Sequence, residues 1–185
     1  MIELQDAYNE QGEKTGELKT KRQIFEDGDW RKVIHVWIVS SKGEMLVQQR
    51  VDGGENGIFN NLWDVSVGGG VNAGEEPVVS AKREVAEELG LNIDTAEFRH
   101  IGRFLLPKRI PESGFIMKDI SETYAVIKDV SAADLFLQED EVARTKHMQL
   151  EQLIEEATAP DTLGLWVPHG PDYYRTVGKA IRELL

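Results

Sequence analysis

Three glutamates carry the first chemical signal. Glu84, Glu87 and Glu88 stand at i, i+3 and i+4, so a helix through them gathers three carboxylates on one face. Each like-charge pair at that spacing costs about 0.2–0.5 kcal/mol if left alone. A hard divalent cation removes the cost, because Mg²⁺ takes oxygen ligands and keeps waters and substrate phosphates in its remaining positions. Arg83 is an i, i+4 partner for Glu87 and is equally able to reach back to Glu75.

A run of Glu on a helix is usually only a solvated face. The surrounding spacing argues otherwise here. Gly69, Glu75, Arg83, Glu84, Glu87, Glu88, Gly90 and Leu91 fall in the order G-x5-E-x7-R-E-V-x-E-E-x-G-L. Pro77 suits a first helical turn, and Gly90 suits a left-handed cap. Between them Val78, Ala81, Val85 and Leu89 form an apolar stripe at helical spacing. The stretch Gly69–Leu91 resembles a complete Nudix box, the metal and diphosphate signature of the Nudix hydrolases.

That resemblance implies an activity and a set of roles. A diphosphate linkage would be hydrolysed with Mg²⁺ or Mn²⁺, the substrate being a nucleoside diphosphate linked to another moiety or a similar organic diphosphate. Glu84, Glu87 and Glu88 match the family's metal-binding carboxylates, and Glu84 either binds metal, serves as general base, or does both. Gly69 matches the glycine whose carbonyl completes the metal shell. Arg83 matches the arginine that orients a catalytic carboxylate, with Glu75 as its partner. In several members the base lies outside the box, and here Glu139, Asp140 and Glu141 are the loop candidates, Glu141 first. Glu122 is a second candidate. Arg50 ends the strand EMLVQQR, where it either contacts phosphate or braces the sheet.

The elements that must position these groups read as strands with interspersed helices. The expectation is an α/β (α+β) fold in which helices flank a mixed sheet, as the Nudix resemblance also implies. Residues 2–18 suggest a hairpin. Val33 to Val39 is a nearly continuous β-former run, fit for a strand buried on both faces. Strands are expected over Glu44–Arg50, Trp63–Val67, Glu97–Leu106, within Ile116–Lys128, and over Val142–Met148. Helices are expected over Gln149–Ala157 and Asp172–Leu185. Loops at 52–61, 106–121 and 158–172 would select the substrate. The chain divides on this reading into a hairpin extension (1–31), the Nudix domain (32–160) and a C-terminal helix packed on it (161–185).

Bulk properties narrow the classes. With 185 residues the chain has room for one domain with a short extension. The net charge is −12, from 21 basic and 33 acidic residues, which argues against gripping nucleic acid or an anionic membrane. There is no cysteine, which removes disulfides, thiolate zinc sites and a cysteine nucleophile. The N-terminus is polar and no apolar run approaches the ~20 residues of a membrane helix, so a cytoplasmic protein is expected. A homodimer through the hairpin is an added expectation. His35, in an apolar strand, reads as a core histidine. His100, His147 and His169 show no metal spacing. Trp30, Trp37, Trp63 and Trp166 read mainly as core or rim, with base stacking as the lesser option.

The leader DAYNEQGEKTGE and the following GDWRKVIHVWIVSSKGEMLVQQR resemble the N-terminal part of isopentenyl-diphosphate isomerase and its Nudix relatives. That isomerase uses a cysteine, a glutamate and a histidine-rich metal site. Here Trp30 stands beside Arg31 in place of a histidine, and WDVSVGGG replaces the cysteine-bearing stretch. The reading is therefore an isomerase-like Nudix hydrolase. The rival readings are the isomerase itself and a non-catalytic domain that binds a nucleotide or other diphosphate.

Overall fold

The computed structural model describes residues 3–53, 59–110 and 114–185. Its centre is β3 (Trp30–Val39), the continuous β-former run, and both of its faces are buried. β3 runs parallel to β8 (Phe115–Ile127), in register from Trp30 beside Lys118 to Val39 beside Ile127. The hairpin β1 (Gln5–Tyr8) and β2 (Lys14–Lys19) joins the same sheet, with Tyr8 beside Trp30. β7 (Arg99–Ile110) extends β8 on its other side.

The site begins where β3 and β4 (Glu44–Arg50) part. They pair at Val39 and Met45 beside their turn and nowhere else among the described residues. Beyond that point β6 (Val67–Gly70) pairs with β3, while β5 (Trp63–Asp64) and β9 (Val142–Gln149) pair with β4. Ser66 bridges the fork. Its hydroxyl accepts from the Ile38 amide and donates to the Leu46 carbonyl, satisfying backbone groups that the divergence leaves unpaired.

Helices cover both faces, as expected. On one face α2 (Pro77–Leu89) buries Ala81, Val85 and Leu89 against Ile34, Val36, Ile38 and Leu46. On the other, α3 (Leu150–Thr158) and α4 (Pro171–Leu184) bury Leu153, Tyr174, Val177 and Ile181 against Trp37, Val47 and Val65. No described helix is long and apolar enough to cross a membrane.

Three elements differ from expectation. Residues 21–27 form a short helix, α1 (Lys21–Asp27), closed at one end by a Thr20–Gln23 capping box and at the other by Gly28 in a left-handed turn. Seven residues are too few to show periodicity. The segment 107–110, expected as loop, continues β7, with Pro107 beside Lys118. β7 pairs only with β8 among the described residues, and an edge strand tolerates a proline's missing donor. Most of the expected 106–121 loop is thus strand, and its tip at 111–113 lies outside the described residues, as do 54–58 of the 52–61 loop. The alternation from Trp63 to Val67 makes two short strands on opposite sides of the fork.

Candidate active site

The fork opens into a cleft of about 770 Å³. α2 delivers one wall. Its Pro77 start and Gly90 stop fix its length, and its apolar stripe, seated on the sheet, turns Glu84 toward Gly69. The approach is close: a Cβ on Gly69 would fall 2.1 Å from the Glu84 carboxyl carbon. Position 69 therefore needs glycine to admit the carboxylate.

Arg83 gathers the acids of the box. Its Nη1 donates to Glu84 Oε1 at 2.8 Å and to Glu87 Oε2 at 3.0 Å. Its Nη2 donates to the Gly70 carbonyl at 3.1 Å and to Glu75 Oε2 at 3.3 Å. Both arrangements open in the sequence, forward to Glu87 and back to Glu75, occur together. Ser80 donates to the same Glu75 oxygen at 2.7 Å, so Glu75 is spent on holding the loop and helix together.

The three helix glutamates occupy three environments. Glu87 is exposed at the cleft mouth, and Glu84 lines the cleft. Glu88 is buried behind them, accepting from Gln48 Nε2 at 2.9 Å, and is not part of the described cleft lining. Burial lifts Glu84 to about 7, with Glu87 and Glu141 adding to the rise and Arg83 opposing it. Burial also pushes Glu88 well above the usual range, and the charge of Glu84 pushes it further.

Glu141 reaches the same place from far along the chain. The amides of Phe136 and Gln138 donate to the Leu89 and Glu88 carbonyls at the end of α2, and Gln138 Nε2 donates to Glu141 at 3.1 Å. Gln138 and Glu141 line the cleft, whereas Glu139 and Asp140 are exposed beside it. Glu122 departs from its expected candidacy as a base. It faces β7, where it is tied to His100 at 2.9 Å and Arg103 at 2.7 Å, and it is absent from the described cleft lining.

The donors suit a hard divalent ion: crowded carboxylates with raised proton affinity and a glycine that lets one of them close on the backbone. They are not gathered into a finished cage. Among the described residues no three His, Asp or Glu side chains stand ready to hold an ion together, and Arg83 balances Glu84 and Glu87.

Of the floor, the sequence pointed only to Arg50, which lines the cleft. Asp64 on β5 accepts from His169 Nε2 at 2.7 Å and lies 3.6 Å from Arg50 Nη1. These neighbours hold Asp64 well below the usual carboxylate range despite its burial. His35 is buried and bonded to the Tyr173 hydroxyl at 2.8 Å, as a core histidine should be, and also lines the cleft. Asp64 and His169 are 105 positions apart, and neither sits in a recognisable spacing. At the far end α1 brings in Lys21, Arg22 and Phe25, beside Arg31, which is paired with Asp119 at 2.8 Å. The four tryptophans are not in the described lining; Phe25 and Phe59 are its aromatic members.

Residues 29–168 match the NUDIX domain. The chain belongs to the Nudix hydrolase family. An uncharacterized Nudix hydrolase of Listeria monocytogenes is 34% identical over 152 residues, covering 82% of this chain and 83% of that protein. Nudix hydrolase 3 of Arabidopsis thaliana is 31% identical over 150 residues, 80% of this Nudix chain but 19% of the much longer plant protein. Two crystal structures share the fold. One is DR0079 of Deinococcus radiodurans, with TM-score 0.67, 22% identity and 98% of both chains covered. The other is a MutT protein of Methanosarcina mazei, with TM-score 0.61, 20% identity, and 84% of this chain and 95% of that one covered.

Proposed function

We propose that this Nudix chain hydrolyses the diphosphate linkage of an organic diphosphate, such as a nucleoside diphosphate linked to another moiety, with Mg²⁺ or Mn²⁺ as cofactor. The observation that carries the reading is the convergence of Glu84, Glu87 and Glu141 on one cleft, with Gly69 giving way to Glu84. Glu84, Glu87, Glu88 and the Gly69 carbonyl are the groups that would hold the ion. When bound, such an ion neutralises the diphosphate and orients the attacking water. Glu84 or Glu141 takes the water's proton. The water oxygen bonds to phosphorus as the bridging P–O bond breaks, leaving two phosphates, at least one carrying the organic group. Arg83 orients Glu84, and Arg50 receives phosphate.

A net charge of −12 favours a small substrate over a nucleic acid backbone, and the lack of cysteine counts against isomerase chemistry. A cytoplasmic enzyme is the matching location. Homodimerisation through β2, the outermost strand of its side of the sheet, belongs to the same proposal. Sedimentation at twice the chain mass supports it, and a monomer removes it.

The test is phosphate or phosphomonoester release over a panel of organic diphosphates with Mg²⁺. Release is expected from the wild type and should fall by at least about 100-fold in Glu87→Gln. Full Mg²⁺-dependent turnover in that variant would sink the assignment. Binding without any turnover would favour a diphosphate-binding module instead.

A further inference from the structure

We propose that Asp64 and His169 are positioning residues of the diphosphate site, holding Arg50 in the cleft floor with donors left open for a substrate phosphate. The proposal rests on the hydrolase reading for the identity of the anion. It adds two residues from outside the Nudix box, one of them from the segment just before α4.

Asp64 Oδ1 is fully engaged, accepting from His169 Nε2 at 2.7 Å and from the Val65 amide at 2.8 Å. Its other oxygen, Oδ2, faces Arg50 Nη1 at 3.6 Å. That distance gives charge attraction without a hydrogen bond. The guanidinium is therefore attracted to the floor without spending a donor on Asp64. Arg50 Nε is buried and has no hydrogen-bond partner among the described residues. A planar fork of five N–H donors matches a phosphate in two directions at once. Glu84 and Glu87 of α2 line the same cleft, so a phosphate on Arg50 lies in the space they share.

The competing explanation is a clamp that only ties the C-terminal segment to β5. The Val167 amide already donates to the Trp63 carbonyl at 2.9 Å and makes that tie without a buried charge. The two explanations part in binding measurements.

Calorimetry with inorganic pyrophosphate and Mg²⁺ on the full chain, alongside thermal melts, tests the idea. Asp64→Asn and His169→Leu should each weaken pyrophosphate about tenfold, the scale of one charge-assisted hydrogen bond. His169→Gln places an amide donor near the Nε2 position and should recover most of that loss. Arg50→Gln leaves the buried pair intact and should show the same loss, and adding Asp64→Asn to it should cost little more. The KM of any diphosphate turned over should rise by the same factor, with kcat within about twofold of wild type. Unchanged pyrophosphate affinity in Arg50→Gln, or in folded Asp64→Asn and His169→Leu, overturns the proposal, as does a wild type that binds no pyrophosphate. The hydrolase reading survives those results if Glu87→Gln still abolishes turnover. It fails alone if the binding pattern holds and no diphosphate is hydrolysed.

Discussion

Glu84 shows how the site stores its chemistry in a single side chain. Burial raises it from 4.5 to about 7, so the folded chain binds this proton more tightly than the unfolded chain. Its contribution to stability is complete below the ordinary carboxylate value and is lost as pH rises through about 7. Glu88 acts in the same direction. Asp64, shifted downward, loses its contribution only below the ordinary range and leaves this window clear. Metal-free protein should therefore melt at a lower temperature at pH 8 than at pH 5.5. Mg²⁺ should restore the loss at pH 8 and bind more weakly below pH 7, where protons compete for the carboxylates. A melting temperature flat across that range would contradict the environment described for Glu84. The box residues were legible because their spacing is local. Asp64, His169 and Gln48 were not, because their partners lie 40 to 105 positions away along the chain.

At the scale of elements, α2 is both a core element and the site's frame. Leu89 is fully buried, and its carbonyl accepts from the Phe136 amide, so it joins the helix to the loop that carries Glu141. Leu89→Ala should cost about 2–5 kcal/mol in denaturant unfolding. It should also lower turnover beyond the loss of folded protein, because that loop is seated on the end of α2. Activity that merely tracks the folded fraction would show that the loop is held by other contacts. α2 was readable from its proline, glycine and apolar stripe. α1 was not, since one short turn held by caps has no stripe to read, and β7 outran its expected end because pairing with β8 outweighed the proline.

For the whole molecule, the segment after Ala159 is part of the core. Trp166, Tyr173, Tyr174, Val177 and Ile181 are all buried, and His169 reaches the cleft floor. A chain ending at Ala159 should lose cooperative thermal unfolding, since one face of the sheet would be stripped. A sharp melt in the shortened protein would show that face to be self-sufficient.

The sequence alone determined the Nudix box, its carboxylate face, the mixed sheet between helices and the absence of cysteine chemistry. The box was legible through its resemblance to a known family, and the rest through composition and periodicities within one or two turns of chain. The tertiary structure decided that Glu141, and not Glu139 or Asp140, lines the cleft, that Glu88 lies buried behind Glu84, and that Asp64, Arg50 and His169 share a floor. Those facts arise where β3 and β4 diverge and distant segments fill the gap. Charge and burial at such a junction depend on contacts that no local pattern encodes.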